Sequence, residues 1–105
     1  MRRGEVWWAE LPQPSGRRPV VLLSRDIAYK VRTSVTVGVV TRTIRDIPVE
    51  VTLDKSDGMP QDCVVNLDDI LTIPKSRLVE RITTLSTLKM VSVAKATAFA
   101  LDLKL

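Results

Sequence analysis

Two adjacent arginines precede an apolar run in "SGRRPVVLLSRD", Ser15–Asp26. Val20–Leu23 has the composition of a buried strand, so Arg17 and Arg18 are expected at its mouth. Pro19 then opens the strand, where a missing N–H breaks no ladder hydrogen bond. Two guanidiniums held at a fixed point can keep a surface solvated or can grip an anion. Residues 1–53 carry nine basic side chains, eight of them arginine. Arginine offers a planar fork of donors that matches phosphate, whereas lysine offers a point charge. The preference for arginine favours the phosphate-binding use.

Other chemistries are poorly supplied. Histidine is absent, which removes the usual acid–base group near neutral pH. Cys63 is the single cysteine, has no histidine to activate it, and is expected to be a small buried hydrophobe. Asp68 and Asp69 are adjacent, but neighbouring strand residues point to opposite faces, so they make a poor metal pair. The chain has no zinc-type cluster of His and Cys and no glycine-rich phosphate loop. No metal or cofactor is therefore expected. Arginines, hydroxyls and a few carboxylates remain. That set can hold a phosphodiester and stabilise charge that builds up on it.

The elements that must position these groups are mostly strands. Residues 4–11 read as the first, with Val6, Trp8 and Leu11 as core candidates. Pro12–Arg18 is a loop by its Pro, Ser and Gly content, and Pro19–Ser24 the second strand. Ser34–Thr41 is rich in β-branched residues and reads as a third, buried strand. Ile47–Leu53 alternates apolar and polar residues, so it is expected to be half-buried. Asp62–Leu67 and Asp69–Ile73 are expected as two further strands, after which "PKSRL" turns the chain away from the sheet. Near the C-terminus Leu85, Leu88, Val91, Ala94, Ala98, Leu101 and Leu105 recur at helical spacing. Ser86 is a suitable N-cap, and the stripe is expected to face the core. A small, strongly bent antiparallel sheet or open barrel with one terminal helix follows.

The 105 residues suit a single domain spanning 1–105. Apolar residues are 45% and charged residues 27%, a soluble composition, and no apolar run approaches the roughly 20 residues of a membrane span. No membrane partner is expected. The lone cysteine and the lack of an apolar signal region at "MRRGEVWW" suggest a cytoplasmic location. Residues 1–53 carry a net charge of +4, nine basic against five acidic, while residues 54–105 carry seven of each. The basic excess thus sits on the half that holds the arginine pair.

"RRGEVWWAEL", "GRRPVVLLS", "TVGVVT" and "VVNLDDILTIPKSRL", in that order, resemble the MazF/PemK/Kid toxins of bacterial toxin–antitoxin systems. The resemblance spans nearly the whole chain. It implies a PemK/CcdB-like, SH3-like small barrel, a homodimer, and metal-free, sequence-specific cleavage of single-stranded RNA. It also implies a MazE-like antitoxin whose disordered acidic segment covers the active site. The arginine of the family's "RPV" motif falls on Arg18, the threonine closing its central strand on Thr41, and an aspartate of the Kid branch on Asp68. These three are the expected catalytic residues. Arg17, Arg25, Arg42 and Asn66 are expected RNA contacts. The sequence departs from the family where an arginine is replaced by Asn66, another by Leu71, and an aspartate by Pro74. A CcdB-like toxin that binds gyrase and cuts nothing, or a plain nucleic-acid-binding dimer, is the alternative.

RNA carries a 2′-hydroxyl beside each phosphodiester. Its attack needs alignment and stabilisation of added negative charge, for which Arg18 is suited. Thr41 would donate to a phosphoryl oxygen, and Asp68 would orient Arg18 or take the proton. Trp7 and Trp8 alternate sides, so one is expected in the core, with the other free to stack a base or fill a dimer interface.

Overall fold

The computed structural model describes residues 1–104. Strands β1 (Glu5–Glu10) and β2 (Arg17–Leu22) form a hairpin, followed by a single-turn helix α1 (Ala28–Val31). Then come β3 (Ser34–Thr41), β4 (Glu50–Leu53), β5 (Cys63–Pro74) and β6 (Leu78–Thr84), and the terminal helix α2 (Thr87–Ala100). The strands make one antiparallel sheet in the order β4-β5-β3-β2-β1-β6. It curls until its two ends meet: Thr83 Oγ1 on β6 donates to the carbonyl of Asp57, just beyond β4, at 2.9 Å. Gly58 makes this approach possible. Its φ is +88°, and a Cβ there would collide with Thr83.

Apolar residues fill both faces of the curled sheet. Val6, Val21, Val40, Val51, Leu53, Val65 and Leu67 pack with Val93 and Ala96 of α2. Across the sheet, Val20, Leu22, Val35, Val37, Val39, Ile73 and Leu78 pack with Tyr29 of α1. The alternation is visible along β3, where Val35, Val37 and Val39 share one face. Gly38 lies against the Val65 and Leu67 side chains on the other. Burial of each such side chain stabilises the fold by roughly 1.5–3 kcal/mol.

The architecture is the expected bent sheet with a C-terminal helix, and β3 spans the expected residues. Several details differ. The two strands expected at 62–73 are one bent strand, β5, whose register against β3 jumps from Asn66–Val39 to Ile70–Gly38. Leu67–Asp69 therefore form a bulge, and the Leu67 N–H turns to the Val49 carbonyl at 2.8 Å. The chain does not leave the sheet after "PKSRL". Lys75–Arg77 makes one 3₁₀ turn, and β6 then returns along β1. Helix α1 was not foreseen.

Ser86 does cap α2, its side chain accepting from the Lys89 N–H at 3.1 Å. Leu85, just before the helix, is buried as expected, but within α2 the face turned to the core is a different one. Val93 and Ala96 are buried, with Met90 and Ala100 packed beside them. Leu88, Val91 and Leu101 are exposed, and Leu105 lies outside the described residues. Both stripes are apolar at steps of three and four, so spacing does not distinguish them. The small side chains of Ala96 and Ala100 let the helix approach the sheet, and that decides the orientation. Of the three core candidates in the expected first strand, Val6 and Leu11 are buried, Leu11 just beyond β1, while Trp8 is only half-buried.

Candidate active site

Where β2 begins and β3 ends, side chains from four stretches of the chain enclose an open groove of about 480 Å³. The hairpin loop before β2 is closed by the Leu11 N–H donating to the Gly16 carbonyl at 2.9 Å, with Gly16 at φ +64°. Strand β2 then starts at Arg17, two residues earlier than expected. Arg17 pairs with Glu10, Arg18 with Ala9 and Pro19 with Trp8. The arginines thus lie within the strand rather than at its mouth. Pro19 is tolerated because the β2–β3 pairing covers only Val20–Leu22.

Arg18 is half-buried, and its Nε donates to the Ser15 carbonyl at 3.2 Å. This contact anchors the guanidinium on its own loop and leaves the terminal nitrogens for a ligand. Thr41 ends β3 and is half-buried in the same groove. Its Oγ1 accepts from the Thr43 N–H at 3.2 Å. A hydroxyl has one proton to donate besides its lone pairs, so Thr41 keeps its donor for the groove. Arg42 and Thr43 follow on the rim, and Ser15, Pro60 and Gln61 complete the wall.

Three arginines, Arg17, Arg18 and Arg42, line this groove, and no carboxylate does. Glu10 sits outside the lining, 3.3 Å from Arg17 with both side chains about half exposed, so it neutralises little of the field. Cys63 lies at the groove's base. Burial, with the nearby Asp62, Asp57 and Asp54 charges, pushes its thiol pKa up, which leaves it a neutral and unreactive group at neutral pH. Among the described residues no three His, Cys, Asp or Glu side chains gather into a metal-binding group. The arrangement can hold an anion between fixed donors and stabilise further negative charge on it.

The structure thus brings Arg17, Arg18, Thr41 and Arg42 together. Arg25, Asn66 and Asp68 are elsewhere. Arg25 is exposed beyond the far end of β2, and its carbonyl accepts from the Ala28 N–H at the start of α1. Asn66 Oδ1 accepts from the Asp68 N–H at 2.9 Å, which ties down the β5 bulge. Asp68 is exposed on that bulge and is not in the groove lining. The Arg18 Nε is held by the Ser15 carbonyl rather than by an aspartate. Conversely, Thr43 and Gln61 line the groove although the sequence did not single them out for it, and so does Trp8, which the sequence offered only as one of two tryptophans that could stack a base. For Trp8 the signal was present: it alternates with Trp7, which packs against the Ala9–Leu22 side of the sheet and donates from Nε1 to Glu5 at 2.9 Å.

The curled half-barrel carries, at the start of β2, an arginine-walled groove suited to an anion. Residues 2–101 match the family described as PemK-like, MazF-like toxin of type II toxin–antitoxin system, and the chain belongs to that family. It is 41% identical over 101 residues to a probable endoribonuclease MazF5 of Mycobacterium tuberculosis, covering 95% of this chain and 92% of that protein. The solved structure of the Mycobacterium tuberculosis toxin MazF-mt6 superposes with a TM-score of 0.89 at 33% identity, covering 96% of this chain and 99% of that one. A mycobacterial endoribonuclease in complex with its cognate antitoxin superposes at 0.87 with 27% identity, covering 100% and 98%. The family and fold expected from the sequence are borne out. The names of these relatives speak for the nuclease and against the non-cutting, gyrase-binding alternative.

Proposed function

We propose that this chain is a MazF-like toxin endoribonuclease and that the groove between β2 and β3 cuts single-stranded RNA without metal. The observation that carries this reading is the placement of Arg18 and Thr41 in one groove that holds three arginines and no carboxylate. Such a groove attracts the anionic backbone of a single strand. In the reaction the 2′-oxygen forms a bond to phosphorus and the bond to the 5′-oxygen breaks. The 2′-proton is lost, the leaving oxygen gains one, and the products are a 2′,3′-cyclic phosphate and a 5′-hydroxyl. Arg18 clamps the phosphate through its free nitrogens, and Thr41 donates to a phosphoryl oxygen. Arg17 and Arg42 hold flanking phosphates. Asp68, outside the groove, takes no step in this scheme.

The partners follow from the same surface. A MazE-like antitoxin with an acidic, disordered segment would cover the basic groove and compete with RNA directly. A second copy of the chain is proposed to pair through α2, supported by the exposure of Leu88, Phe99 and Leu101 at 81%, 62% and 56%. Among the described residues no helix is long and apolar enough to cross a membrane, and a bacterial cytoplasmic setting is proposed with the RNA substrate.

The test is single-turnover cleavage of one defined RNA. Arg18→Ala should slow the chemical step about 10²–10³-fold, as removal of one preorganised donor does. Arg18→Lys should also be poor, because an ammonium does not reproduce the fork. Arg17→Ala should mainly weaken binding. Unchanged cleavage by folded Arg18→Ala would refute the assignment.

A further inference from the structure

We propose that Trp8 is the base-stacking residue of the groove, and that Arg17 occupies the stacking position on its indole until RNA takes it. This rests on the RNA-cleaving reading above. Three observations carry it. Trp8 is the only aromatic side chain in the groove lining, and it is half-buried with one part open to the groove. It pairs with Pro19, immediately after Arg18, so a nucleotide whose phosphate is held by Arg18 has its base within reach of the indole. Finally, the Arg17 guanidinium lies 5.3 Å from the centroid of the Trp8 ring. A planar group already rests on that face, which shows that the face is accessible and unclaimed by the core. Trp7, by contrast, has its ring packed against buried residues and its Nε1 engaged by Glu5.

The exchange favours RNA. Arg17 is held over the indole by an exposed cation–π contact and by Glu10, in an ion pair whose side chains are 46% and 49% exposed. Exposed pairs of this kind contribute little. Stacking of a base on an aromatic side chain contributes more and tolerates any base. Displaced from the ring, the guanidinium is free to pair with a phosphate, so the charge leaving the indole is used again on the same strand. Trp8 would therefore seat the base beside the cleaved bond whatever its identity, and Arg17 would report its arrival.

The experiment compares the wild type with Trp8→Phe, Trp8→Leu and Trp8→Ala. Affinity is measured by fluorescence anisotropy on a single-stranded RNA made uncleavable by 2′-deoxy substitution, and on a series with one abasic site at each position. Trp8→Ala and Trp8→Leu should bind roughly 5- to 150-fold more weakly, while Trp8→Phe keeps most of the affinity. One abasic position should weaken the wild type by a similar factor and leave Trp8→Ala no weaker than it already is. The quenching of tryptophan emission on RNA binding should disappear in Trp8→Phe. Equal affinity of Trp8→Leu and Trp8→Phe would overturn the proposal, as would a Trp8→Ala loss that adds to every abasic position. Dissociation of a dimer by Trp8→Ala in sedimentation would place the indole in a subunit interface and also overturn it. If the wild type bound no RNA, the RNA-cleaving reading would fall along with it. Binding and cutting by the wild type with Trp8→Leu unaffected would overturn the Trp8 proposal alone.

Discussion

Salt should weaken RNA binding by an amount that the groove itself sets. Arg17, Arg18 and Arg42 line it, and the proposed reading has them neutralise three phosphates per groove. Each phosphate contact on a single strand contributes about −0.7 to the slope of log K against log salt. Three give a slope of about −2.1. Between about 50 and about 200 mM salt, affinity should then fall roughly 20-fold. Arg42→Ala leaves two contacts, a slope of about −1.4, and a loss of roughly 7-fold over the same range. Arg45 is exposed on the loop beyond β3 and outside the groove lining, so Arg45→Ala should leave the slope unchanged. The assay is anisotropy of a labelled, uncleavable single strand titrated at four or more salt concentrations, with circular dichroism to confirm each variant's fold. A slope near zero would show that the arginines are ordinary surface charge. A drop in slope for Arg45→Ala but not for Arg42→Ala would show that the strand runs elsewhere.

Gly58→Ala should destabilise the protein by about 2–4 kcal/mol in urea unfolding, combining left-handed strain at φ +88° with collision against Thr83; a change under about 0.5 kcal/mol would show that the two sheet ends do not meet there. Tyr29 is the only tyrosine, and burial pushes its pKa from 10.0 up to about 12. The folded state therefore holds the phenolic proton more tightly than the unfolded chain, and stability, complete below about pH 10, should decline as pH rises toward about 12. A tyrosinate absorbance midpoint near 10 in protein that is still folded would contradict this. Cleavage should continue in EDTA, because the proposed scheme uses the chain's own side chains and no metal; loss of activity restored by magnesium would reject it.

What the sequence showed and what it hid follow from how locally each feature is encoded. Strand β3 was legible because "SVTVGVVT" is dense in β-branched residues from end to end. Arg18 was legible because a motif arginine stood beside Pro19, and Thr41 because it closes a regular strand. β6 was not, since its pairing with β1 breaks register twice and its burial therefore does not alternate cleanly. The charges of Asp68 and Asp69 made β5 look like two strands, whereas the backbone absorbs them as a bulge. Helix α2 is apolar on opposite sides, so its periodicity located the helix but not the face that Val93 and Ala96 bury. Placement of Arg25 and Asp68 outside the groove depends on the curl of the whole sheet, which no local pattern records. Alternation said that one of Trp7 and Trp8 is core but left open which. It is the distant loop around Arg17 that opens a groove over Trp8.

The two ends of the sheet have a consequence for how the chain behaves in a crowd. "PVVLL" and "SVTVGVV" are segments that would stack readily with copies of themselves if exposed. Folding places both on β2 and β3, paired on each side, and leaves β4 and β6 as the terminal strands. Lys89 Nζ donates to the Thr52 carbonyl of β4 at 2.9 Å, which occupies an acceptor that a foreign strand would need. β6 presents Glu80 and Arg81 to solvent, charges that discourage addition of another strand. The hydrogen bond from Thr83 to Asp57 draws these two margins together. The chain is thereby gatekept against fibrous self-assembly, and should remain dispersed at concentrations where its isolated β2 and β3 peptides aggregate.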